Sequence, residues 1–322
     1  MALKRWGIVS TGNMAKQFVE DFQYSTGGVL QAVCSRQVDR GKEFAREFAI
    51  PMVFPSVAEM AASGAVDLIY IASPHSDHYG SAMQAIQAGV GVLCEKPLTL
   101  SLAETEALYL AASDANVFLM EGLWTRFNPA IVEMLAWIQA GRIGEIKSVH
   151  ANFGFAVTVP DDHRLMNPAL GGGALLDVGI YPLFLAQLVL GIPAEITSSV
   201  VFGSTGVDIH EDLKLEYANG AEALLTASFD RYFPNTAVIS GTRGYIEIPS
   251  PWFAARSLRI SEAGGEPDWV SFDVPGKGWH FEVTHVNECL QRGFTSSSLF
   301  TPQQSIELAR TMDTIRQQWR SR

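Results

Sequence analysis

Trp6-Gly7-Ile8-Val9-Ser10-Thr11-Gly12-Asn13-Met14-Ala15 is the stretch whose reading decides the fold. Its apolar run predicts a buried strand over Trp6–Ser10, and the residues after Gly12 carry helical spacing over Asn13–Phe22. Ser10, Gly12 and Ala15 fall on the glycine positions of the fingerprint G-x-G-x-x-G/A. Gly12 lets the backbone approach a pyrophosphate, while the helix N-terminus offers amide donors and a favourable dipole. Ala15 keeps the helix close to the sheet. A strand, turn and helix of this kind is common by itself; here it opens a long run of alternating strands and helices.

That run continues with expected strands at Leu30–Ser35, Met52–Phe54, Leu68–Ala72, Val90–Glu95 and Val117–Glu121. Expected helices over Asp39–Phe48 and Asp77–Ala88 lie between them, and the capping-box patterns Ser56-Val57-Ala58-Glu59 and Ser101-Leu102-Ala103-Glu104 open two more. Alternation of this kind predicts βαβ units, so residues 1–121 read as a Rossmann domain with a doubly wound parallel sheet. After a helix over Pro129–Gln139 the pattern changes. Glu145–Val157 and the run from Ala194 to Val274 are rich in strand signals, separated by turns such as Asn219-Gly220 and Gly264-Gly265. Residues 122–322 therefore read as an α+β domain: a largely antiparallel sheet, a covering helix near Ala174–Leu190 and a final helix over Gln303–Trp319. The fold class is α/β with this second domain attached.

Composition excludes several functions. A net charge of −11 over 322 residues offers nothing to offset phosphate repulsion, so neither nucleic acid nor an anionic membrane is expected as a partner. The apolar stretch Ala174–Pro193 contains Asp177, Pro182 and Gln187, which argues against a transmembrane span. Cys34, Cys94 and Cys289 show neither disulfide nor zinc spacing, so a reducing cytoplasm is the expected location and no metal is expected.

In open α/β sheets ligands bind at the carboxyl ends of the strands, and several reactive residues are expected there. Ser10, Thr11, Gly12, Asn13 and Met14 form the cofactor turn. The second strand ends Val33-Cys34-Ser35-Arg36 with no carboxylate until Asp39. Ser35 and Arg36 can therefore bind a 2′-phosphate, which predicts NADP in preference to NAD. Ser73, Pro74, His75 and His78 follow the fourth strand and are expected to line the cofactor; the two histidines have no further ligands to complete a metal set.

Glu95-Lys96-Pro97 places a lysine at the end of a buried strand, before an X-Pro bond that can be cis. Further on, Asp177 and Tyr181 stand at i and i+4, on one helical face. A phenol has an ordinary pKa of about 10, and a nearby ammonium favours the phenolate. The residues suit a hydride-transfer enzyme. In it Tyr181 exchanges the substrate hydroxyl proton, Lys96 stabilises the developing alkoxide, and Asp177 orients lysine or substrate.

Cys94-Glu95-Lys96-Pro97 and Gly171-Gly172-Gly173 through Tyr181, in order and correctly separated, resemble the EKP and G-G-G-x-x-x-D-x-G-x-[HY] motifs of the Gfo/Idh/MocA oxidoreductases. The resemblance covers essentially the whole chain. It implies catalytic roles for Lys96, Asp177 and Tyr181, a cofactor site that includes Glu95 and Lys96, and an open-faced sheet through which such chains form homodimers or higher oligomers. Glu121-Gly122-Leu123-Trp124-Thr125-Arg126-Phe127 is similar to the E-x-x-W-T-R-F segment of the dimeric dihydrodiol and NADP-dependent D-xylose dehydrogenase branch. That likeness implies NADP and adds Trp124 and Arg126 to the cofactor site. The expected substrate is a sugar or vicinal diol. The alternatives are another sugar, keto-sugar or inositol oxidoreductase, or a nucleotide-sensing regulator without turnover. Trp124, Phe155, Trp252 and Phe281 are aromatic candidates for a pocket, with core packing the plainer role for each.

Overall fold

A computed structural model describes residues 2–320. The chain forms two compact units: Met1–Trp124 with Pro275–Ala309, and Thr125–Val274 with the segment from Arg310.

In the first unit β1 (Lys4–Val9), α1 (Asn13–Phe22), β2 (Gly28–Cys34), α2 (Val38–Glu47), β3 (Met52–Phe54), α3 (Val57–Ala62) and β4 (Leu68–Ile71) follow in order. They lead into α4 (His75–Gln87), β5 (Gly91–Glu95), α5 (Leu102–Asp114) and β6 (Leu119–Gly122). The six strands are all parallel, in the order β3-β2-β1-β4-β5-β6. The direction of winding reverses between β1 and β4, so a crevice opens at their carboxyl ends. Every residue of β4 and β5 is buried, as a sheet covered on both faces requires. Both capping boxes form: Ser56 Oγ accepts from the Glu59 amide at 3.2 Å and Ser101 Oγ from the Glu104 amide at 3.3 Å.

The second unit contains α6 (Pro129–Gln139), β7 (Ile146–Gly154), a π-helical turn at Leu175–Gly179 continuing into α7 (Ile180–Leu190), β8 (Glu195–Phe202), β9 (Asp208–Glu216) and β10 (Glu222–Ser228). Strands β11 (Ala237–Gly241), β12 (Gly244–Ile248), β13 (Ser257–Glu262) and β14 (Asp268–Ser271) complete it. The eight-stranded sheet runs β14-β13-β12-β11-β7-β10-β9-β8, and only β7 and β10 pair in parallel. The segment Pro168–Leu190 has the length and hydropathy of a membrane span, yet 78% of its most apolar window is buried within the protein. Its helix packs on β7 and β10. The three cysteines are buried and free.

Residues 122–322 were expected to form a single second domain, but Pro275–Ala309 packs with the Rossmann sheet. This stretch contains α8 (Trp279–Gln291), which the sequence pattern did not reveal, and the start of α9 (Pro302–Arg320). Buried polar groups hold α8 in place. Asp21 on α1 accepts from the amides of Lys277, Gly278 and Trp279 at 2.8, 2.7 and 2.9 Å, and so caps the N-terminus of α8 from another element. Asn287 accepts from the Trp6 indole at 2.9 Å and donates to the Thr26 carbonyl at 2.7 Å.

Candidate active site

At the switch point the ends of β1, β2 and β4 enclose a cleft of about 670 Å³. It is lined by Ser10, Thr11 and Gly12 after β1, by Ser35 and Arg36 after β2, and by Ser73 and Pro74 after β4. Seven of the expected cofactor residues therefore meet in one place. Gln37 and Arg40 line it too, although no motif marks them.

Ser10 explains the departure from the glycine fingerprint. Its φ is 94°, a left-handed conformation that glycine adopts freely, and its Oγ accepts from the Gly12 amide at 3.1 Å. The local hydrogen bond offsets part of the backbone strain. Gly12 precedes α1 without a side-chain cap, which leaves the first amides of that helix available for an anion. Arg36 has an 84% exposed side chain, and its guanidinium lies 3.7 Å from Asp77 on α4. Ser73 Oγ is buried in the cleft wall with no protein partner. An orphaned hydroxyl, open helix amides and an exposed guanidinium suit a phosphorylated dinucleotide.

The remaining expected residues divide by position. Asn13 and Met14 form the first turn of α1. His78 was expected to line the cofactor, but it is fully buried, and both ring nitrogens face carbonyl oxygens: Nδ1 lies 2.8 Å from Pro97 and Nε2 3.0 Å from Ser73. Burial pushes its pKa down. It ties two loops together behind the cleft, with His75 packed edge-on against its ring. Glu95 is likewise turned inward. Its carboxylate accepts from the Tyr70 hydroxyl at 2.6 Å and from the Lys96 amide at 3.2 Å. The Lys96–Pro97 bond is cis. Trp124 is buried against Trp279, with ring centroids 4.8 Å apart, and Arg126 is partly buried in the second unit. Among the described residues no three His, Cys, Asp or Glu side chains gather as metal ligands.

Behind Glu95 lies Glu282 of α8, fully buried, with neither carboxyl oxygen hydrogen-bonded. Burial, then the charge of Glu95, raises its pKa well above the usual 4.5. Below that ordinary value folded and unfolded chains both hold the proton. As pH rises above it, only the unfolded chain releases its proton, so stability falls. Glu282→Gln removes this dependence. Its stability gain over the native chain is expected to widen between pH 5 and 8, at about 1.4 kcal/mol per unit of raised pKa. Urea unfolding at the two pH values measures it, and a constant difference would contradict the assignment.

In the second unit the glycine-rich motif has a steric cause. A Cβ on Gly172 would come within 2.7 to 3.0 Å of the carbonyl oxygens of Leu165, Asn167 and Arg164, so only glycine fits beneath that loop. The loop sets Arg164 beside Asp177 at 3.2 Å, a partner that no spacing rule indicated. Asp177 is buried. A Cβ on Gly179 would collide with Oε1 of the buried Glu211. Tyr181 is buried between Phe153 and Phe253, at centroid distances of 5.4 and 5.7 Å. Trp252 proves to be core, fully buried with its indole donating to the Asn152 carbonyl at 2.9 Å. Phe155 packs among Phe153 and Phe229, and Phe281 against His280.

Comparison with known proteins fits this arrangement. Residues 4–123 match the model of the oxidoreductase family with an NAD-binding Rossmann fold, GFO/IDH/MocA, and residues 131–247 match the C-terminal domain of the same family. The chain belongs to the GFO/IDH/MocA oxidoreductases. Trans-1,2-dihydrobenzene-1,2-diol dehydrogenase of Xenopus tropicalis is 33% identical over 98% of this chain and 97% of its own. The GFO/IDH/MocA fold is shared with a 3-ketoreductase from Actinomadura kijaniata solved with NADP and TDP-benzene, at a TM-score of 0.88 and 23% identity over 98% and 97% of the two chains. Levoglucosan dehydrogenase in complex with NADH and levoglucosan has a TM-score of 0.87 at 21% identity, over 98% and 97%.

Proposed function

We propose that this GFO/IDH/MocA oxidoreductase uses NADP to move hydride between nicotinamide and a carbinol carbon of a sugar or vicinal diol. The observation that carries the cofactor assignment is the turn after β2, where Ser35 and Arg36 line the cleft and no carboxylate follows until Asp39; Asp77 of α4 lies 3.7 Å from the Arg36 guanidinium. Solved neighbours carry NADP in one case and NADH in another, so the preference rests on this chain's own side chains. A guanidinium at that place favours a 2′-phosphate, whereas a carboxylate would repel it. The substrate class is supported by the dihydrodiol for which the curated relatives are named.

The bound nicotinamide supplies a hydride acceptor or donor. Ser10, Thr11, Gly12 and the first amides of α1 would hold the pyrophosphate, and Ser35 and Arg36 would hold the 2′-phosphate. Tyr181 exchanges the hydroxyl proton, Lys96 stabilises charge that develops on the carbinol oxygen, and Asp177, held by Arg164, orients the reacting groups. The exposed sheet face bearing Leu224 and Thr226 is the surface proposed to meet a second copy of the chain.

Arg36→Ala tests the cofactor assignment. The ratio of kcat/KM for NADP+ over NAD+ is expected to exceed one in the native enzyme and to fall about 10- to 100-fold in the variant, the value of a charge-assisted hydrogen bond. A native preference for NAD+, or an unchanged ratio in the variant, would refute it.

A further inference from the structure

Lys96 is followed by a short loop whose course depends on a buried carboxylate outside the motif that contains the lysine. Glu121, at 2% exposure, lies on β6 opposite Cys94 of β5. Its Oε1 accepts from the amide of Leu98 at 2.9 Å, two residues beyond Lys96. Its Oε2 accepts from the Ser305 hydroxyl on α9, so both oxygens are engaged inside one unit. Leu98 and Ser305 are themselves almost fully buried. Gly122 gives β6 room to run this close, since a Cβ there would lie 3.1 Å from the Cys94 carbonyl. The loop is thus anchored upstream by Glu95 through the Lys96 amide, at its centre by His78 through the Pro97 carbonyl, and downstream by Glu121.

Resting on the oxidoreductase reading above, we propose that Glu121 is a positioning residue for Lys96, fixing the chain beyond the lysine through the Leu98 amide. It touches no reacting atom in this role. An ionised carboxylate accepts from an amide more strongly than a neutral carboxyl does, so its protonation state bears on how firmly the loop is held. Burial raises the Glu121 pKa to about 7, the Ser305 and Leu98 hydrogen bonds oppose the rise, and the charges of Glu95 and Lys96 act in opposite directions. Cys94 and Tyr109, the other titratable groups beside it, are pushed upward by burial and remain neutral. The loop therefore tightens as pH rises through neutrality.

Three variants test the assignment in the full-length enzyme, with NADP+ and a sugar or diol that the native enzyme oxidises. Glu121→Leu is expected to lower kcat about 100-fold, the usual cost of a small misplacement of a reacting group. Its Kd for NADP+ should stay within about threefold of native, because the cleft is built from other loops. Glu121→Gln keeps an oxygen for Leu98 and an amide donor for Ser305, so it should recover most of kcat while losing the rise in kcat near pH 7. Ser305→Ala removes a bond that holds the pKa down and should move that rise to higher pH; it also decides the matter if Glu121→Leu does not fold. Native-like kcat in a folded Glu121→Leu variant, a Gln variant as slow as Leu, or a pH profile unmoved in both Glu121→Gln and Ser305→Ala would overturn the proposal. In each of those results the native enzyme still turns over. Absence of native turnover on any sugar or diol would instead bring down the oxidoreductase reading, and this inference with it.

Discussion

Lys96→Met is expected to lower kcat by about 100- to 1000-fold, the range found when one stabiliser of a developing oxyanion is removed. Methionine keeps the length of the side chain and removes its charge, so packing at the end of β5 should survive. Tyr181→Phe should cost about 100- to 10,000-fold, as for the loss of a general acid or base. The phenyl ring still fills the space between Phe153 and Phe253, so the variant should remain folded. Combining the two should lower kcat little beyond the worse single variant, because groups that act on one proton and one oxygen are not additive. Binding of NADP+ should remain near native in all three. Full activity in either single variant would remove that residue from the chemistry, whereas a fully additive double variant would show that the two act independently.

Asp21→Ala is expected to destabilise the first unit by about 3 kcal/mol, since each buried amide left without its acceptor costs about 1 to 3 kcal/mol. Three backbone amides at the start of α8 would lose their acceptor. Asp21→Asn retains one carbonyl oxygen and should fall between alanine and native. The midpoint of urea unfolding, followed by tryptophan fluorescence, reads this directly because Trp279 stands at the affected helix end. A shift of less than about 1 kcal/mol for alanine would mean that the Asp21 cap contributes little and that apolar packing and the Asn287 hydrogen bonds hold the C-terminal segment.

The parallel sheet was legible because its signals are local. The helix Asn13–Phe22 begins and ends where its pattern does, and Ser56 and Ser101 form their caps within three residues. Helix α8 was not legible, for a physical reason. Its buried set includes His280, Glu282 and Asn287 beside Trp279, Val283 and Val286, which blurs the apolar stripe that marks an amphipathic helix. Its cap, Asp21, lies more than 250 residues away in sequence. The same contrast runs through the candidate site. Ser10, Gly12, Ser35 and Arg36 could be read because a motif fixes their spacing along the chain. Arg164, Glu282 and the anchoring role of Glu121 could not, because each depends on a partner brought close only by folding. His78 lies in the first turn of α4 and Glu95 ends β5, yet the polar atoms of both face inward and support the edge of the cleft from behind.

The proposed activity is hydride transfer to or from a carbon bearing a hydroxyl group. Following nicotinamide absorbance with NADP+ against aldoses, inositols and aromatic trans-dihydrodiols tests it most directly. The expected result is reduction of NADP+ by at least one sugar or diol, abolished in Lys96→Met and Tyr181→Phe. Binding of NADP+ with no turnover on any member of the panel would contradict the claim and point to a nucleotide-sensing protein.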